Sequence, residues 1–510
     1  MPPYPRIRKV VCRKVPAFAA VLSIALIVSC GSSSNTTTTG NTNTTTYTVG
    51  GTVSGLLGTG LVLQNNLGNN YTVPAGGNGA FVFTTPIASG SNYSVTVLTQ
   101  PTNPPQTCVV AAGSGTVTGT VSSVGITCPT PTTTSLFVSD NLNNRVLIYN
   151  TPFGTGQNAN VVLGQATFNT ATTGATASTM NGPSGSATDR TGNLYVADYL
   201  NCRVLQFTPP FANGMAAGVV FGQPNLTTAN CSAAISASSL GNLTNYNNGN
   251  DEVLGAALDS SGNLWVADSA NNRVLKYTPP FTSGMAASLV IGQANFTSGS
   301  ANQGNAAPTN SSFNDPGYPV FDHSGNLWIS DYYNNRIMKF TAPFTTGMAA
   351  SVVLGQADFI HGAANQGGAV AANSISGPAG AAFDSSGNLW VSDYTNNRVL
   401  EFVSPFTTNM AAGLVLGQLD FTHNLPNQGG AAPTGATIKS PFQPAFDSTG
   451  RLILADSGNN RTLIFSTPLN NNGMAATVAI GQATLISNTP ATTVAGQSTP
   501  FGATVGPVLY

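Results

Sequence analysis

The chain has 510 residues, 41% of them apolar and only 6% charged, with a formal net charge of −1. That length exceeds one ordinary core, and a normal apolar fraction excludes a chain disordered throughout. Its 56 glycines, set among β-branched and aromatic runs, predict an all-β protein.

Residues 1–29 differ in kind. Arg6, Arg8, Lys9, Arg13 and Lys14 precede the apolar run "AFAAVLSIALIV". The run is too short to span a bilayer comfortably and reads as the apolar core of a signal peptide. "Ile27-Val28-Ser29-Cys30" resembles the lipobox of bacterial lipoproteins. The resemblance implies cleavage before Cys30, lipidation of Cys30 and, with Gly31 following, outer-membrane retention, facing either the periplasm or the exterior. The alternative is cleavage at a nearby small residue, which leaves the Cys30 thiol free. Residues 30–46, rich in Ser, Thr and Asn, form a polar tether. Loss of residues 1–29 leaves 11 Lys+Arg against 17 Asp+Glu, a balance of −6. No basic surface remains to neutralise phosphates, so nucleic acid is excluded as a partner. Membrane contact is expected through the lipid alone.

Residues 47–130 alternate short β-prone runs with turns: "YTVGGTV", "GLVLQNN", "AFVFTTP", "NYSVTVL", "QTCVV", "SVGITC". About seven strands in this span predict a small β-sandwich. It resembles the Ig-like or carboxypeptidase-regulatory-like modules of exported bacterial proteins. It contains no His, Asp, Glu, Lys or Arg, so it is read as a spacer or adhesion module. Once Cys12 leaves with the signal and Cys30 takes the lipid, two local pairs remain, Cys108/Cys128 and Cys202/Cys231. In an exported chain these are read as disulfides, each contributing about 3 kcal/mol.

Residues 131–510 repeat one phrase six times, as in "DSANNRVLKYTPPFTSGMAASLVIGQ". Its aspartates are Asp140, Asp198, Asp268, Asp331, Asp393 and Asp456. Five positions later stand Arg145, Arg203, Arg273, Arg336, Arg398 and Arg461, and each copy closes in Gly-Gln. Such a period marks a repeat architecture before it marks any chemistry. The third copy divides into strands at 255–259, 263–268, 273–278 and 288–292, which predicts one four-stranded propeller blade per copy. The first copy lacks an inner strand, and "STPFGATVGPVLY" at the C-terminus supplies it, giving a closed six-bladed β-propeller. "GNLWVADSANNRVLKY" resembles the NHL repeat. That resemblance covers essentially all of residues 131–510 and implies the propeller fold, but it leaves binding platform, sensor and lyase open as functions.

An Asp and an Arg flanking a four-residue turn meet across a hairpin, so the six pairs are read as scaffolding. The "D-x-x-G-N" turns at Asp189, Asp259, Asp322 and Asp384 lack the further carboxylates that calcium needs. Trp265, Trp328 and Trp390 share one register and are read as inter-blade packing. The long loops after Gly-Gln differ among copies and open on the same face as the turns after the repeat aspartates. That face is where ligand contact is expected, with Tyr199, Tyr332, Tyr394, His361 and His423 as candidates. The lyases that this fold resembles hold zinc through several histidines. Here His323 falls on the opposite face from His361 and His423, so a three-histidine site is not expected. Asp251, Glu252 and Asp315 form an acidic group at the channel mouth, where a divalent cation or a general base could sit. The reading is therefore a non-catalytic binding or scaffold protein, without a cofactor, for a protein, peptide or glycan. The alternative is a metal-dependent lyase or gluconolactonase-like hydrolase at the channel mouth.

Overall fold

The computed structural model describes residues 44–56, 59–74, 77–101, 106–128, 133–241 and 255–508. The signal segment, Cys30, the tether up to residue 43, Asp251 and Glu252 lie outside the described residues. The chain divides beside Cys128 into two compact units.

The smaller unit has two four-stranded sheets. One runs Gly79–Val82, Val49–Ser54, Val121–Thr127, Val109–Ala111, and the other Asn69–Thr72, Val62–Asn65, Asn92–Thr99, Ser114–Thr116. Period-two alternation turns Val49, Val53, Leu63, Phe81, Val95 and Val124 into one core. Each apolar run noted in the sequence contains at least part of a strand. Asn69–Thr72 and Ser114–Thr116 are strands that the sequence did not reveal, because they have no apolar alternation and are fixed only by pairing with their neighbours. Cys108 and Cys128 form a disulfide.

The larger unit is built from six four-stranded antiparallel sheets. Sheet A comprises Pro500–Val508, Thr133–Asp140, Arg145–Asn150 and Val161–Leu163. Sheet B comprises Pro183–Thr188, Leu194–Asp198, Arg203–Phe207 and Val219–Phe221. Sheet C comprises Ala256–Leu258, Leu264–Asp268, Arg273–Tyr277 and Leu289–Ile291. Sheets D, E and F repeat the pattern from Pro316, Pro378 and Pro441. The first-named strands neighbour one another in the cycle A, B, C, D, E, F and back to A.

Burial explains the wording of the strands. Leu194 and Val196 pack towards sheet A, while Tyr195 and Ala197 pack towards sheet C. Both faces of the sheet are covered, so the strand reads as a continuous apolar run instead of alternating with polar residues. Each "D-x-x-G-N" turn closes on its own aspartate. Asp259 Oδ1 accepts from the backbone N–H of Ser261 and Asn263, at 2.9 and 3.0 Å. Gly262, at φ +80°, supplies the left-handed step that the turn requires.

The C-terminal strand pairs with Thr133–Asp140, with Phe137 opposite Thr504 and Val138 opposite Ala503. Without it the strand carrying Phe137 becomes an unprotected edge. Deleting residues 499–510 is therefore expected to remove cooperative thermal unfolding of the larger unit and to drive aggregation. Scanning calorimetry with light scattering checks this; a sharp, unshifted transition is the contrary outcome.

Candidate functional site

One end of the larger unit carries the turns after the repeat aspartates and the loops after Gly-Gln, and one device shapes all of it. In every sheet the Arg Nε donates to Asp Oδ2 at 2.7 Å, with both side chains fully buried. The other carboxylate oxygen accepts a backbone N–H from two residues before the same sheet's first-named strand, Ser498, Asn181, Asn314, Ser376 or Lys439, and in sheet C from Gly241, further upstream. The guanidinium then reaches loop carbonyls. Arg336 Nη1 donates to Phe359 at 2.6 Å in its own sheet's loop. Its Nη2 donates to Thr309 and Ser312, at 2.8 and 3.0 Å, in the preceding loop. Burial pushes Asp140 and Asp198 up to about 6, against the downward pull of Arg145 and Arg203 and of their hydrogen bonds.

Two further repeat residues, which the sequence showed only as punctuation, join this clamp. Gln356 Nε2 donates to the carbonyls of Asn335 and Ala363 at 3.0 and 2.8 Å, fixing the start of the loop. Asn335, left-handed at φ +52°, donates to Gly362 and accepts from the Gly377 N–H of the next sheet. In sheet B the corresponding left-handed residue is Cys202, and its disulfide to Cys231 anchors the loop where other sheets use asparagine. The loops are also less varied than the sequence suggested. Three of them share an "NQG" turn, in which Asn302, Asn365 and Asn427 pair with Asn334, Asn396 and Asn459.

The candidate ligand residues fall into separate places. Tyr332 and Tyr394 are half-buried and meet at 6.1 Å between ring centroids. Tyr199 packs instead against the core between sheets B and C. His361 and His423 are exposed, and each sits beside its own loop's aspartate, Asp358 at 2.7 Å and Asp420 at 2.6 Å. Hydrogen bonds from His423 and then Thr422 bring Asp420 down to about 2. Asp315 is buried and left-handed at φ +61°. Its N–H donates to Asn272 and its carbonyl accepts from Tyr332 N–H. Among the described residues no three His, Cys, Asp or Glu side chains are grouped to hold a metal.

The two tyrosines belong to an aromatic arc that the sequence did not reveal. Tyr333 meets Tyr332 at 5.1 Å, Tyr394 meets Phe442 at 5.0 Å, and Phe442 stacks on Phe501 at 4.2 Å. The available signal was the "PF" at Pro441-Phe442 and Pro500-Phe501, where equivalent strands carry Ser184, Gly317 and Ala379. Tyr318, fully buried, donates its hydroxyl to the Phe501 carbonyl at 2.9 Å. It fills the space between the first-named strands: a Cβ on Gly185 would lie 2.4 Å from its ring. Beyond it, towards the opposite end, small residues such as Ala187, Ala382 and Ala503 line a cavity of about 350 Å³.

Arg336→Ala would strand a buried carboxylate and release two loops. It is expected to destabilise the larger unit by about 3–5 kcal/mol. Arg336→Lys should recover only part of this, since one ammonium cannot replace the fork. Urea unfolding of the three proteins checks the order.

The NHL repeat model matches residues 251–277 and 376–402. No curated protein sequence matches the chain. Among solved structures, a protein of unknown function from Bacteroides caccae is 9% identical, with 73% of this chain and 98% of that one covered and a TM-score of 0.41. The periplasmic gluconolactonase of Pseudomonas aeruginosa is 14% identical, with coverages of 66% and 79% and a TM-score of 0.38. A catalytically inactive virginiamycin B lyase from Staphylococcus aureus, with quinupristin, is 12% identical, with coverages of 56% and 67% and a TM-score of 0.32. The two repeat matches and the succession of four-stranded sheets support an NHL-type β-propeller for the larger unit.

Proposed function

We propose that the chain is an exported, lipid-anchored binding protein whose larger unit is a closed six-bladed propeller. The smaller unit, a β-sandwich, acts as a spacer, and the loop end of the propeller carries the partner, a protein, peptide or glycan. Six four-stranded sheets with cyclically neighbouring first strands favour the closed ring. Two disulfides suit an oxidising compartment. Among the described residues no helix is long and apolar enough to cross a membrane.

The aromatic arc on the loop end is the single observation that carries the binding role. Four rings from sheets D, E, F and A lie within 6.1 Å of their neighbours. Tyr333 at their edge is 41% exposed. Tyrosines presented on rigid, clamped turns give contact area at low entropic cost, which is the character of binding hot spots.

Screening the full chain on glycan and peptide arrays, then repeating with Tyr332→Ser/Tyr394→Ser, tests the reading. The double variant is expected to lose at least about tenfold in affinity, or roughly 1.4 kcal/mol. Retained affinity in a folded double variant would sink the loop-end assignment. The anchor has its own check: Cys30→Ser should move the exported chain from the membrane fraction to the soluble one, and a chain that stays membrane-bound refutes lipidation at that residue.

A further inference from the structure

Three of the six gaps between neighbouring sheets are filled by an aromatic set built on tryptophan, and three depart from it: Ile453 and Phe153 pack in the F–A gap, Phe137 and Phe211 in the A–B gap, and the B–C gap has a polar floor. Between sheets C and D, Trp265 meets Phe321 at 5.8 Å and Phe344 at 4.9 Å. Between D and E, Trp328 meets Phe383 and Phe406 at 5.8 and 4.7 Å. Between E and F, Trp390 meets Phe446 at 5.9 Å. Between B and C the same registers hold Tyr195 and Leu258, and Phe281 stands 5.9 Å from Tyr195. Across the strand pair Gln206 faces Tyr195, where Lys276 and Lys339 face Trp265 and Trp328. A smaller ring, a smaller aliphatic and a shorter polar chain together leave a cleft of about 530 Å³. That volume is in the range of small-ligand sites.

The chemistry of the cleft is specific. Its floor is the buried Tyr195, whose hydroxyl donates to Asp189 at 3.1 Å and accepts from Gln206 at 3.1 Å. Half-buried Leu258 and Phe281 supply apolar walls. Arg190, Ser260 and Ser261 stand exposed around the opening, and Arg190 has no ion pair among the described residues.

Asp189 and Asp259 flank the cleft, but their oxygens are committed to their own turns. Asp189 accepts from Thr191, Asn193 and Tyr195, and Asp259 from Ser261, Asn263 and Trp265. Burial disfavours their charge, yet these donors outweigh it and hold both carboxyls below the usual range. With both ionised beside one guanidinium, the cleft repels anions. It also offers a metal no free carboxylate oxygen. A flat-faced, uncharged ligand with many hydroxyls meets every requirement: C–H faces for Leu258 and Phe281, and hydroxyls for Arg190, Gln206, Ser260 and Ser261.

We propose that this cleft between sheets B and C is a binding site for neutral sugar rings, of mono- or disaccharide size, separate from the aromatic arc at the loop end. The test titrates the full chain with maltose, cellobiose and lactose, followed by calorimetry and saturation-transfer NMR, with glucuronic acid as the anionic probe. Saturable binding of at least one neutral sugar is expected, and glucuronic acid should bind at least tenfold more weakly. Gln206→Lys, which copies the residue of sheets C and D, should weaken binding at least tenfold. The filled variant Tyr195→Trp/Leu258→Phe should do the same. Leu67→Ser, an exposed change in the smaller unit, should leave the affinity unchanged, whereas loss in Tyr332→Ser/Tyr394→Ser with binding kept in both cleft variants would place the sugar at the loop end. Circular dichroism identifies a variant that misfolds, and the other variant then decides. No saturable binding up to about 100 mM of any neutral sugar, well beyond the millimolar affinities of weak sites, would overturn the proposal. So would binding that survives both cleft variants, or that disappears with the tyrosines instead.

Discussion

A fully buried ion pair, repeated in every sheet, governs the loop end of this protein. Taking an aspartate and an arginine out of water costs several kcal/mol per ion, and their attraction repays it only when every remaining donor and acceptor is used. Here they are used. Asp331 accepts from Arg336, Asn334 and the Asn314 N–H, while Arg336 spends its outer nitrogens on Phe359, Thr309 and Ser312 carbonyls. The bonds to the loops are to backbone oxygens. Loop side chains are therefore free to change while the clamp persists, which is how one repeated frame can present six different surfaces.

That separation explains what could be read from the amino-acid sequence. The repeat register, the strand limits and the identity of the C-terminal strand follow from local wording. An Asp and an Arg five positions apart can only meet if a hairpin joins them. Two-sided burial makes each strand apolar throughout, so its limits stand out against polar turns. The polar strand Asn69–Thr72 gave no such contrast, since only its neighbours hold it.

The site was harder to see, for a physical reason. Tyr394, Phe442 and Phe501 belong to three repeats and occupy two different registers. They become neighbours only when the sheets stand side by side around Tyr318. Aligning the copies shows Phe442 and Phe501 as departures from small residues, but not that they face Tyr394. The same limit hid the gap beside Tyr195. Its size depends on Leu258 and Phe281 from the following repeat, and no single copy contains all three.

Departures from the repeat thus fall into three physical kinds. At Cys202 the frame is kept by other means, a covalent bond replacing an asparagine's hydrogen bonds. At Phe442 and Phe501 bulk is added, and the space between the first-named strands closes under a stacked pair. At Tyr195 and Leu258 bulk is removed, and a polar-floored cleft opens where the C–D and D–E gaps hold tryptophan and phenylalanine. An emptied gap is costly, because lining atoms lose their contacts and hydrophobic burial shrinks. Tyr195 limits that cost by binding Asp189 and Gln206 instead of leaving its hydroxyl unsatisfied. A cleft whose floor is hydrogen-bonded and whose charges are fixed by their own turns is preorganised: it is held open whether or not anything occupies it.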